Sequence, residues 1–206
     1  MLTVCIQAGG ESSRMGEDKA LKLFLGRPLI QRVVDRLQLI ADELIVTTNR
    51  PADFAFLNAR LFSDVISGRG ALGGLFTAIA SAAHPLVAVI ACDMPFASAK
   101  LIQLSVEIME KENVDVVIAK NDEGYEPLHA VYRRETCLPA IESSINADQW
   151  RVVSWLPQVN MRMLTNEEIQ SADPSGFAFW NVNTPEEFAK AEKLAISQST
   201  PGKARD

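Results

Sequence analysis

A chain of 206 residues with 48% hydrophobic and 22% charged content is long enough for a substantial core and too apolar for disorder to dominate. A net charge of −6 with no long basic stripe argues against nucleic acid as a partner, whereas a small phosphorylated ligand needs only a few cations. The cysteines, Cys5, Cys92 and Cys137, stand singly without zinc or redox spacing, the longest apolar run (85–92) is far too short for a bilayer, and no charged leader precedes the first strand, so a cytoplasmic protein with reduced, buried thiols and no membrane association is expected.

The first element is an apolar strand ending at Gln7, followed by Ala8, Gly9 and Gly10 and then by Arg14 and Lys19 on either side of Gly16. Glycines let backbone N–H groups converge on a common point, which makes an anion site, and two cations on the same loop would suit a polyphosphate. A plain turn with solvated charges is the alternative, since Glu11, Glu17 and Asp18 keep the window from being net basic. No Gly-Lys-Ser/Thr follows the glycines of this loop and they do not have the G-x-G-x-x-G spacing, so the loop is neither a P-loop nor the dinucleotide fingerprint.

Residues 20–25 read as extended, and Gly26, Arg27 and Pro28 turn the chain into a helix. On it Leu29, Ile30, Val33, Val34, Leu37 and Ile40 recur at helical spacing, with Gln31, Arg32, Asp35 and Arg36 opposite. A strand over 43–48 follows, and strand, helix, strand in this order predicts a parallel pair with a right-handed crossover. Leu61 and Phe62 suggest a short strand ending near Asp64, and Gly68, Gly70, Gly73 and Gly74 lead into an Ala-rich helix through Ala83. The apolar run 86–91, read as a strand buried on both faces, ends in Cys92, Asp93, Met94 and Pro95. A helix over 101–112 and a strand over 114–119 bring the sheet to about five members. Beyond Lys120, residues 125–132 alternate partly like an exposed edge strand, 136–147 read as a helix, 151–173 mix short helix and strand signals, and 177–181 read as extended. Thr184, Pro185 and Glu187 supply the oxygen cap, first-turn proline and third-position glutamate of a helix running to about Ala195, with a polar tail from 197.

Alternating strands and helices without an internal repeat predict an α/β fold: a three-layer, doubly wound, mostly parallel sheet in one domain over residues 1–196. Ligands of such sheets lie at the carboxyl ends of the strands, where residues 8–10 and 47–49, Asp64 and Asp93 are expected. Asp93 either stabilises its own turn before Pro95 or, beside the glycine loop, binds Mg²⁺, which on triphosphates commonly takes one or two carboxylates plus phosphate oxygens. Asp64 and the glycines behind it could approach a base or ribose, or serve only as turn and packing devices. Asn181 and Asn183 could merely bond the helix entry. His84 and His129 are too far apart in pattern to propose as ligands, and Ser12 and Ser13 lack the partners of a hydrolytic nucleophile.

The segment from Gln7 to Lys19 closely resembles the signature loop of the molybdenum cofactor guanylyltransferases, within the wider nucleotidyltransferase superfamily. The resemblance continues in order through Gly26 to Leu29, Thr48 to Arg50, Asp64, Gly70 to Gly74, Cys92 to Pro95, Glu126 to Tyr132 and Asn181 to Glu186. It implies a Rossmann-like nucleotidyltransferase fold and transfer of GMP from GTP to the terminal phosphate of molybdopterin, with release of pyrophosphate. It would put Ala8, Gly9 and Gly10 against the nucleotide, Arg14 and Lys19 on its phosphates, Asp64 near the guanosine, Asp93 on Mg²⁺, and Asn181 and Asn183 near the acceptor. Gly9-Gly10 is similar to the guanine-using branch, whereas cytidine-using relatives typically show Ala-Ala-Gly. Gln7 stands where Leu is usual and could bond the base or cap the strand; Thr47, where an Asn is sometimes found, still offers the nucleotide a hydroxyl. Ala71 replaces a customary Pro, and Trp150-Arg151 stands where two arginines are common, which bears on the acceptor contacts. A CTP-dependent cytidylyltransferase, a guanylyltransferase for another phosphorylated acceptor, and a noncatalytic nucleotide- or cofactor-binding protein are the rival readings. Transient contact with proteins that deliver molybdopterin is compatible with the first.

Overall fold

In a computed structural model of the chain, which describes residues 1–9, 18–66, 70–122 and 124–199, two six-residue strands buried along their whole length lie side by side. They are β1 (Leu2–Gln7) and β6 (Leu86–Ala91), parallel neighbours in a seven-stranded sheet. Elements before and between them are the two-residue strands β2 (Leu23–Phe24) and β3 (Arg27–Pro28), helix α1 (Leu29–Leu37), strands β4 (Glu43–Thr47) and β5 (Arg60–Phe62), and helix α2 (Gly70–Ser81). After β6 come α3 (Ala99–Glu112), β7 (Val116–Ile118), β8 (Lys120–Asn121), β9 (Gly124–Tyr125), β10 (His129–Arg133), α4 (Arg134–Asn146), β11 (Met161–Met163), α5 (Asn166–Ala172) and α6 (Pro185–Ser199).

The sheet order is β11-β7-β10-β6-β1-β4-β5, and β10 alone runs against its neighbours. Side chains alternate between the faces, as the strand period of two requires. Val4, Ile6, Ala88 and Ile90 join Ile30, Val33, Val34 and Leu37 of α1 and Leu101, Ile102 and Met109 of α3 in one core. On the other face Cys5, Val87 and Val89 join Leu72, Leu75 and Ile79 of α2 and Cys137 and Ile141 of α4 in a second core. The expected three-layer, mostly parallel architecture is the one observed, and all five strands expected before Lys120 belong to the sheet.

Four expectations are corrected. Only Leu23–Phe24 of residues 20–25 is extended; the segment begins as a turn closed by Leu21 N–H to the Asp18 carbonyl at 3.0 Å, and β2 pairs with β3 around Leu25 (φ 51°) and Gly26 (φ 80°), the paired positive φ angles of a tight hairpin. The strand expected at a sheet edge within 125–132 is β10, buried in the interior between β6 and β7; the β8–β9 hairpin reverses the chain, so β10 enters antiparallel. Residues 177–181 form no strand: Trp180 N–H bonds the Phe177 carbonyl at 3.0 Å, a turn whose rings pack on Phe96. Finally, α6 continues to Ser199, past the expected end near Ala195. Its start is the one the sequence marks: Thr184 Oγ1 accepts from Glu187 N–H at 3.1 Å, and Glu187 Oε2 accepts from the Thr184 and Asn183 N–H groups.

Candidate active site

Parallel strands deliver their carboxyl ends to one rim, and here the rim is stitched by backbone hydrogen bonds. Ala8 N–H bonds the Thr47 carbonyl at 2.8 Å, Thr48 N–H bonds the Phe62 carbonyl at 2.8 Å, and Cys92 N–H bonds the Gln7 carbonyl at 3.1 Å. The segments leaving β1, β4, β5 and β6 are therefore held next to one another. Asp64, two residues past β5, comes up to the backbone of the β1 loop: a Cβ on Gly9 would lie 3.6 Å from Asp64 Oδ2. The carboxylate is oriented by Asn49, whose Nδ2 donates to Oδ2 at 2.8 Å while its Oδ1 accepts from Asp64 N–H at 3.1 Å. Asp64 Oδ1 is buried and has no hydrogen-bond partner among the described residues.

Asp93, two residues past β6, sits in a loop fixed from both sides. Arg32 Nε and Arg36 Nε on α1 donate to the Pro95 and Ala97 carbonyls at 2.8 and 2.7 Å, and Val182 N–H donates to the Asp93 carbonyl at 3.0 Å. The arginines on the polar face of α1 thus act as clamps rather than as solvated charges. Lys19 Nζ lies 3.5 Å from Asp93 Oδ2 and donates to Asn183 Oδ1 at 2.8 Å. Burial holds the Asp93 carboxyl above its ordinary range, and the Lys19 cation opposes that shift.

Three expected site residues, Lys19, Asp93 and Asn183, therefore meet within direct contact, and Gly9 meets Asp64. Ala8 follows on the same rim. Gln7 is buried at the end of β1, with its amide beside Gly74 of α2. Thr47 lies inside the sheet, its hydroxyl 4.0 Å from Cys5 Sγ, one step behind the rim on which Asn49 holds Asp64. Asn181 is turned back on its own loop, with Nδ2 3.4 Å from the Phe179 carbonyl. Gly10 and Arg14 lie outside the described residues, as do Ser12, Ser13 and Gly68.

Sequence reasoning missed Asn49 as the partner of Asp64, and it missed the ion pair of Asp18 with Arg50, which ties the end of the β1 loop to the segment after β4. The only signal for either was their place directly after a strand or a glycine loop. Burial pushes the Cys5 and Cys137 thiols up to about 12 and Cys92 well above its ordinary value, which disfavours the nucleophilic thiolate. His129 is a buried core residue whose Nε2 accepts from Ser98 N–H at 3.0 Å, and burial lowers its pKa to about 4.

Among the described residues no group of three or more His, Cys, Asp or Glu side chains is arranged to hold an ion. A single partly buried carboxylate with a neighbouring lysine instead fits an ion that shares its shell with phosphate oxygens, the usual manner of Mg²⁺. Among the same residues no helix is long and apolar enough to cross a membrane.

Residues 4–159 match the model of the MobA-like NTP transferase domain. The molybdenum cofactor guanylyltransferase of Desulfosudis oleivorans is 35% identical over 192 residues, covering 93% of this chain and 94% of that protein. A probable molybdenum cofactor guanylyltransferase of Pelotomaculum thermopropionicum is 35% identical over 199 residues, covering 96% and 95%. Among solved structures, molybdopterin-guanine dinucleotide biosynthesis protein A from Archaeoglobus fulgidus superposes with a TM-score of 0.83 at 24% identity, over 95% of this chain and 99% of that one. That likeness establishes the fold; the sequence relatives and the domain match establish the family. The chain is a nucleotidyltransferase by descent and belongs to the MobA-like NTP transferase family.

Proposed function

We propose that this protein is a molybdenum cofactor guanylyltransferase, moving GMP from GTP to the terminal phosphate of molybdopterin and releasing pyrophosphate. The observation that carries the reading is the meeting of Lys19, Asp93 and Asn183: one cation, one carboxylate and one amide from three distant parts of the chain within 3.5 Å contacts at the strand rim. The family and its relatives named for this activity support it.

The chemistry asks little of a general base, because the acceptor phosphate is already an oxyanion. The obstacle is to bring that anion to the α-phosphorus of a second one while a third leaves. The Lys19 ammonium, fixed between the nucleotide side of the rim and the loop that enters α6, is placed to lower the repulsion at their junction. Arg14 is assigned to the phosphates, Ala8, Gly9 and Gly10 to backbone donors, Asp64 and Thr47 to the nucleoside side, and Asn181 and Asn183 to the acceptor. Asp93 would hold Mg²⁺, which when bound supplies charge screening and Lewis-acid polarisation of the phosphate oxygens. Residues 1–196 then work as one nucleotidyltransferase domain in the cytoplasm.

Thermal unfolding with Mg²⁺ present tests the nucleotide. GTP at 100 times its dissociation constant should stabilise the protein by about 2.7 kcal/mol, with CTP much weaker. Equal protection by CTP, or protection by CTP alone, would overturn the guanine assignment.

A further inference from the structure

Lys19 has a carboxylate on either side of it. Its Nζ lies 3.5 Å from Asp93 Oδ2 and donates to Asn183 Oδ1, while the adjacent Asp18 carboxylate is engaged elsewhere: Oδ1 accepts from Ala20 N–H at 2.9 Å, and Oδ2 accepts from Arg50 Nη2. The Asp18 carbonyl accepts from Leu21 N–H at 3.0 Å and from Lys22 N–H at 3.2 Å, so Asp18 also builds the turn that carries Lys19. That turn is tied to the start of α1, where Leu29 N–H bonds the Lys22 carbonyl at 2.9 Å and Ile30 N–H the Ala20 carbonyl at 3.0 Å. Across the rim it is tied to the segment after β4 by Arg50, which follows Asn49 directly and also lies 3.5 Å from Asp53. Asp18 acts on the same place as Asp93: after burial, these two carboxylates are what raises the Cys92 thiol, and the Lys19 cation opposes them.

A carboxylate beside a site for polyanions has to be neutralised. Without Arg50, Asp18 would turn its charge toward the incoming triphosphate and compete with Asp93 for the ammonium of the neighbouring lysine. As a device for stability the pair is weak, because the Arg50 side chain is 56% exposed, and ion pairs that solvent reaches contribute little to folding. We propose that Arg50 is a positioning residue for the transfer: by holding the Asp18 carboxylate it leaves Lys19 to Asp93 and Asn183 and takes a negative charge out of the path of the nucleotide phosphates. Arg50 acts through Asp18 and not by touching the substrate. The inference rests on the guanylyl-transfer reading above.

The test compares the full chain with Arg50→Met, Arg50→Lys, Asp18→Asn and the double variant Asp18→Asn/Arg50→Met, in transfer to molybdopterin with Mg²⁺ and in thermal unfolding without nucleotide. Arg50→Met should lower kcat/KM for GTP roughly 10-fold, mostly through KM. Its midpoint should stay within about 4 °C of the wild type. Arg50→Lys keeps a cation and should recover most of the loss. In the Asp18→Asn background, where the oxygen that accepts from Ala20 N–H is kept and the charge is gone, Arg50→Met should cost less than about 2-fold. An equal loss in both backgrounds, as direct contact of Arg50 with the phosphates would give, overturns the proposal. So does an Arg50→Met variant with the wild-type kcat/KM, whatever its midpoint. Should the wild type form no dinucleotide from GTP, the guanylyl-transfer reading fails by itself, and the dissociation constants of GTP and CTP, measured by equilibrium dialysis with Mg²⁺ over the same variants, still score Arg50.

Discussion

Gly74→Ala should destabilise the wild-type protein yet stabilise one in which Gln7 has been shortened. The added Cβ would fall 1.9 Å from Gln7 Nε2, 2.6 Å from its Cδ and 3.3 Å from Oε1. Ordinary contacts lie near 3.5 Å, so the amide would have to retreat by about 1.5 Å. Gln7 is 6% exposed and has little room to do so. Overpacking of this kind costs about 1–3 kcal/mol, while Ala in place of Gly inside a helix such as α2 returns about 1 kcal/mol. The net effect of Gly74→Ala is therefore a loss of about 0–2 kcal/mol. In a Gln7→Ala background the obstructing atoms are gone and the same change should gain about 1 kcal/mol, a coupling of about 1–3 kcal/mol between the sites. Urea unfolding of the wild type, the two single variants and the double variant, with a common m-value, measures this directly. A Gly74→Ala effect equal within about 0.5 kcal/mol in both backgrounds would refute the packing argument.

Asp93→Asn should lower guanylyl transfer by about 10²- to 10³-fold while leaving the unfolding midpoint level or higher, since burial already disfavours the charged form; product assays and urea melts on the same preparation check both halves. Lys19→Met keeps the stem and removes the cation that joins Asp93 to Asn183, so transfer should fall about 10²-fold with KM for the acceptor rising, measured by initial rates at saturating GTP. His129 gives a pH dependence of defined sign. Its folded pKa, about 4, lies below the ordinary 6.5 because of burial, with Asp173 favouring and Arg36 opposing protonation. The unfolded chain therefore takes up this proton first, and stability contributed by the neutral ring is complete above pH 6.5 and falls by about 3 kcal/mol on the way down to about pH 4. His129→Gln, whose side-chain oxygen can accept the Ser98 N–H in turn, should remove that share of the acid loss in urea unfolding between pH 7 and pH 4.

The parts of the fold that were legible in the sequence are those set by local pattern. The apolar runs of β1 and β6 sit at the sheet centre, and the cap at Thr184 starts α6. β10 was misread because the partial alternation of residues 125–132 mixes the approach to the strand with the strand itself; only His129–Arg133 pairs, and the β8–β9 hairpin inserts it between β6 and β7. The aromatic run from Phe177 to Trp180 has β-forming composition, yet its rings are spent on Phe96 in a turn. At the site, strand ends located Ala8, Gly9, Asp64 and Asp93, because a parallel sheet gathers its carboxyl ends on one rim. The Lys19–Asn183 contact joins residues 164 positions apart, and no spacing rule reaches that far. Gln7 was noticed as a departure from a family pattern, but only the packing against Gly74 shows what its amide faces.

The most direct test of the account is product formation from α-³²P-labelled GTP or CTP with molybdopterin, Mg²⁺ and the purified protein. The rim built from Lys19, Asp93 and Asn183 predicts label from GTP in a molybdopterin dinucleotide, with one pyrophosphate released per turnover. Label entering product from CTP and not from GTP, or from neither, would contradict it.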